Sequence, residues 1–142
     1  MSLPPPSLQN QSTPAGSLTR QWTIAIVATQ LLIAGALLAV AVSSRSIGKP
    51  TWWLGYEHQP AFFLLWLLPF IAPAAIIFAA FKYSQLLPYV GLASTLLLGV
   101  TSGFDISRTP GVAICEILLT VCTALSTIAA LAGRRRSVTT GI

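Results

Sequence analysis

The chain has 142 residues, of which 54% are hydrophobic and 8% charged, with a formal net charge of +5. A soluble domain carries about a quarter of its residues charged, so this chain lacks the polar groups to cover a water-facing surface and its bulk solvent is expected to be lipid. The basic residues are scattered between apolar runs, which argues against a nucleic-acid surface and for loops facing an anionic membrane.

Residues 1–20 contain LPPPS and, further on, STPAGS. Such a stretch buries too little apolar surface to offset its ordering entropy and reads as a disordered cytoplasmic tail. A proline-rich ligand for a partner domain is its alternative use. Four apolar runs follow, at about 22–43, 60–81, 86–102 and 112–132. They lie within a predicted transmembrane domain at 21–133, and a basic tail follows at 134–142. A helix needs about 20 residues to cross the hydrocarbon core, and backbone groups in lipid must be bonded internally. The expected fold class is all-α integral membrane: a four-transmembrane-helix bundle with a disordered N-terminal tail.

The first run carries Ala39-Val40-Ala41, an A-x-A pattern that also fits signal-peptide cleavage. Its apolar core is long for a signal and only Arg20 precedes it, so an uncleaved anchor is the better reading. Trp22 reads as an interfacial anchor. Gly35, Ala39 and Ser43 recur every four residues and form a small-residue packing stripe. The loop SRSIGKPTWWLGYEHQ follows, where Trp52, Trp53 and Tyr56 read as an aromatic belt.

In the second run Pro60 stands at the expected helix start, where proline is welcome. Pro69 and Pro73 lie inside the helix on one face. Each lacks a donor and crowds the carbonyl four residues earlier, at Leu65 and Pro69, so a kink is expected. Ala75 and Ala79 add small residues. The short connection KYSQ makes a tight hairpin with the third run, which supplies Gly91, Thr95, Gly99 and Gly103 on one face.

The fourth run holds Glu116, the only ionisable side chain in the four runs apart from Tyr and Cys. Glu116, Thr120, Thr123 and Thr127 fall in one narrow helical stripe, extended by Ala113 and Ala130. This polar track must face protein or water. Glu116 lies roughly 6 Å below the expected helix start, within reach of Arg108, His58, Arg45 or Lys49. An ion-pair anchor is one reading, and a protonatable carrier the other. Glu57, His58, Asp105 and Arg108 form a polar cluster in the flanking loops. Glu57, His58, Asp105 and Glu116 could lie at one membrane level and bind a metal, but one histidine makes a poor metal set. Cys115 and Cys122 would be roughly 10 Å apart on a helix, too far for a bridge.

Lysine and arginine set orientation. One side holds Arg20, Lys82, Arg134, Arg135 and Arg136, the other Arg45, Lys49 and Arg108. Both termini are expected in the cytoplasm, with the chain in the plasma membrane, of the bacterial inner-membrane kind. There is no zinc spacing, G-x-S-x-G, P-loop or Rossmann glycine pattern, and the one histidine rules out a bis-histidine haem. No enzyme, cofactor or metal is therefore expected. The predicted function is a non-catalytic accessory or interaction subunit, partnered by the bilayer and by another membrane protein or itself. The alternative is a small oligomeric proton-coupled transporter using Glu116.

Overall fold

A computed structural model describes residues 18–56, 59–60 and 62–134 of the chain. Most of the expected tail, the Glu57–His58 pair, Arg135 and Arg136 lie outside the described residues. The fold is built on four helices, each long and apolar enough to cross a membrane: α1 (Arg20–Ser46), α2 (Phe63–Lys82), α3 (Leu87–Asp105) and α4 (Pro110–Ala132). Each packs on its sequence neighbours, and α4 returns to α1, so the four close into a bundle. A short antiparallel hairpin, β1 (Gly55–Tyr56) and β2 (Gln59–Pro60), lies between α1 and α2.

Local chemistry sets boundaries that differ from the expected ones. Thr19 caps α1 by accepting the Trp22 amide at 3.4 Å, so the helix starts at Arg20. It ends in a Schellman motif: Gly48 takes φ 69°, its amide bonds the Arg45 carbonyl, and the Lys49 amide bonds that of Ser44. The second helix does not begin at Pro60, because Pro60 pairs with Gly55 in the hairpin; α2 begins at Phe63. It runs through Pro69 and Pro73 to Lys82 without interruption, and both rings are fully buried. The third helix reaches Asp105, three residues beyond the expected end, and α4 starts on Pro110.

The core is layered along the bundle. At the end nearest the termini, Ile26 meets Ile76, Ala79, Leu87 and Ala130. In the middle, Ile33 and Leu37 meet Ala72 and Leu98, and at the loop end Ala41 packs with Trp53 and Leu54. A side-chain link joins α1 to α4, from Gln30 Nε2 to Ser126 Oγ at 2.9 Å.

The small-residue stripes divide. On α3, Gly91 sits against Thr127, and a Cβ built there would overlap that side chain. Gly99 faces Thr120, whose methyl would lie 3.8 Å from a Cβ built on the glycine, so the glycine face of α3 and the threonine stripe of α4 form one seam. On α1, Gly35, Ala39 and Ser43 are exposed, and a Cβ at Gly35 would meet nothing within 4 Å. That stripe is exposed along its length, and Ala39 and Ser43 line a groove between α1 and α4.

Candidate functional site

The site is built around Glu116, on the inward face of α4 and 4% exposed. Because α4 starts at Pro110, Glu116 is the seventh helical residue, roughly 9 Å along the axis. That is deeper than expected, and past the first turn where the helix dipole acts.

Among the described residues the donor that meets Glu116 is an indole, and Arg45, Lys49 and Arg108 make no hydrogen bond to it; His58, the other expected partner, lies outside them. Trp53 is 1% exposed, and its Nε1–H donates to Glu116 Oε1 at 3.2 Å. The Trp53 ring also meets Phe70 edge-on, with centroids 6.3 Å apart. Trp53 is therefore a core residue and not part of an interfacial belt. Trp52 is half-buried and held as firmly: its ring N–H donates to the Thr101 carbonyl at 3.0 Å, and its ring lies 5.3 Å from Phe104. The Trp52 amide donates to Asp105 Oδ1 at 3.1 Å. Two indoles and one amide thus tie the loop after α1 to α3 and α4.

Asp105 belongs to the site from inside. It is the last residue of α3, fully buried, and its carboxyl lies close to that of Glu116. Asp105 Oδ2 and Glu116 Oε2 have no hydrogen-bond partner. A carboxylate only accepts hydrogen bonds, so the two acids could bond to each other only with a proton on one of them. The pair faces an indole donor on one side and a backbone amide on the other. Arg108 is exposed and near enough for its charge to act on Asp105. Arg45 instead stacks over Trp66, 4.8 Å from the ring centroid.

The threonine stripe faces protein, as its position required, but its hydroxyls are engaged. Thr120 donates to the Glu116 carbonyl, Thr123 to Leu119 and Thr127 to Thr123, at 2.9 Å each. Thr95 likewise donates to Gly91. These bonds turn the donors back onto their own helices. The proline pair lies apart from the site, on the buried face of α2; nearby Ser94 donates to the Ala72 carbonyl at 3.2 Å. Of the polar loop cluster, Asp105 and Arg108 are placed together. Among the described residues, no group of three or more His, Cys, Asp or Glu is arranged to hold a metal. Cys115 and Cys122 are free and exposed.

Three participants escaped the sequence reading: Trp53 as a donor, Asp105 as an interior acid, and Gln30. Asp105 had a signal. Gly91, Ser94, Leu98, Thr101 and Asp105 repeat at alternating steps of three and four, one helical face continued past residue 102. Trp53 had none, since a tryptophan next to a span reads equally well as belt or core. The chain matches no family model, no curated protein and no solved structure.

Proposed function

We propose that the chain is a small integral membrane protein, both termini cytoplasmic, acting as a non-catalytic subunit that docks through α1 on another membrane helix or on a second copy of itself. The observation that carries this is the exposed Gly35–Ala39–Ser43 face. Helices in lipid associate by close approach at small residues. The matching face of α3 is already occupied by α4, whereas that of α1 is open. The inward threonine hydroxyls, bonded to their own helices, also favour a rigid scaffold over a hydrated path.

The test is association in mild detergent, read by cross-linking and native electrophoresis. Gly35→Leu should abolish a complex that Gly103→Leu, the same change at an exposed glycine of α3, leaves intact. Equal behaviour of the two variants would remove the α1 face from consideration.

The Asp105–Glu116 pair favours a second reading, a proton-coupled transporter using Glu116. Two neighbouring acids buried in a bundle, able to hold one proton between them, are the minimal carrier. Proton flux into proteoliposomes, followed with an entrapped pH dye, discriminates: Glu116→Gln should leave flux at background on the subunit reading, and abolish a real flux on the transporter reading.

A further inference from the structure

We infer that the loop end of the bundle binds an anionic phospholipid, its phosphate between Lys49 and Arg108 and an acyl chain in the groove between α1 and α4. The inference rests on the membrane placement proposed above. Two adjoining cavities carry it. The first is a cup of about 170 Å³ whose wall includes Lys49, Thr51, Trp52, Arg108 and Thr109. The second is a groove of about 500 Å³ between α1 and α4, lined by Ala39, Val40, Ser43, Val112 and Cys115. Lys49 and Thr109 line both, so the cup opens at the head of the groove.

The donor set of the cup suits a phosphate. Its two cations come from different elements, Lys49 from the end of α1 and Arg108 from the α3–α4 turn, and would approach an anion from two sides. Lys49 is fixed by the Schellman motif, whose Gly48 holds a positive φ. One further wall residue is built in and unused. The hydroxyl of Thr51 has no hydrogen-bond partner, although the side chain is 0% exposed. A buried hydroxyl without a partner is costly, and an anion in the cup gives it a group to donate to. Among the described residues no acid lines either cavity. Asp105 lies behind the wall, one oxygen on the Trp52 amide and the carboxyl facing Glu116.

The groove decides between a free anion and a lipid. Its walls are mostly apolar, and the small side chains of Ala39 and Ser43 leave room for a chain to lie between the helices, so that the partner helix proposed above closes on the Gly35 end of that face. A free phosphate would fill the cup and leave the groove to whatever lipid drifts by. A phospholipid joins the two with one molecule, and Trp52 in the cup wall sits where a headgroup-level aromatic belongs. With two cations and no lining acid, the cup has nothing to receive a choline ammonium. The headgroup is therefore net anionic.

Native mass spectrometry of the full chain, released from vesicles of equal parts phosphatidylglycerol and phosphatidylcholine, tests this directly. One phosphatidylglycerol should be retained in preference to phosphatidylcholine. The double substitution Lys49→Gln, Arg108→Gln should weaken retention by about tenfold or more, while Lys49→Arg keeps it. Val112→Trp, which fills the groove and leaves the cations alone, should also lose the lipid, so misfolding of the charge variant cannot hide the answer. Equal retention of the two lipids, or unchanged retention in both the charge and the groove variants, overturns the site. Displacement of the lipid by millimolar inorganic phosphate overturns it in favour of a simple anion cup. A chain recovered in the aqueous fraction would sink the membrane reading and the site together, which separates that failure from the others.

Discussion

At Glu116 the energetics are those of a half-satisfied buried acid. The indole of Trp53 bonds one of its oxygens, the other lies bare near the Asp105 carboxyl, and a proton on either acid would leave one net charge where two would repel. Glutamine is close in shape to a protonated glutamic acid. In Glu116→Gln the carbonyl would still accept from Trp53 and the amide would donate to Asp105, so unfolding stability in detergent should change by less than about 1 kcal/mol. Trp53→Phe removes the donor and leaves a buried acceptor bare, costing about 1–3 kcal/mol. Glu116→Ala strands both the indole and Asp105 and opens a cavity, and should cost more than either. The order is the useful prediction. If Glu116→Gln proves as damaging as Glu116→Ala, the two acids do not share a proton and a cation must lie between them.

The helices are joined by two kinds of contact, and only one shows in a pattern. Along α3 and α4 the fit is steric: Gly91 lies so close to Thr127 that a methyl cannot be inserted without displacing one helix. Gly91→Ala should destabilise the bundle by about 1–3 kcal/mol, and Thr127→Ala should recover part of that loss. Full tolerance of Gly91→Ala would mean the seam is looser than its geometry. The spacing that put Gly91, Thr95 and Gly99 on one face, and Glu116 with its threonines on another, was legible because a helix maps spacing directly onto a face. The same logic could not say which faces meet. Gly35 and Ala39 have the same spacing as the α3 stripe yet face outward, since pairing depends on where the turns carry each helix. The Trp53–Glu116 contact was illegible for a related reason: it is long-range and set by a loop whose path rests on Gly48, the hairpin and the Trp52 bonds. The early end assumed for α3 hid Asp105, because an acid near a helix end reads as loop.

For the molecule as a whole, orientation follows from how charge is sorted between the two ends. Arg20 and Lys82 lie at the end nearest the termini, and Arg134 is tied there too, its guanidinium donating to the carbonyls of Ser84 and Gln85 in the α2–α3 turn. The sequence adds Arg135 and Arg136 to that side. The loop end carries Arg45, Lys49 and Arg108, but Arg45 lies over Trp66 and the charge of Arg108 falls partly on Asp105. On the proposed membrane placement, the excess of basic residues predicts that the termini end faces the cytoplasm. Between Arg20 and Arg45 an α1 of this length runs roughly 37 Å, more than the ~30 Å of a hydrocarbon core, so both arginines can reach the headgroups on opposite faces. Cysteines at exposed positions test the sign, in a background of Cys115→Ala and Cys122→Ala. Ile47 is 65% exposed at the loop end and Tyr83 is 46% exposed at the other, whereas Thr51 is fully buried and would react poorly from either side. In intact cells an impermeant thiol reagent should label Ile47→Cys and spare Tyr83→Cys, and both should react once the membrane is opened. The reverse pattern would invert the protein. Labelling of both in intact cells would mean that the helices do not cross the bilayer as an ordered bundle.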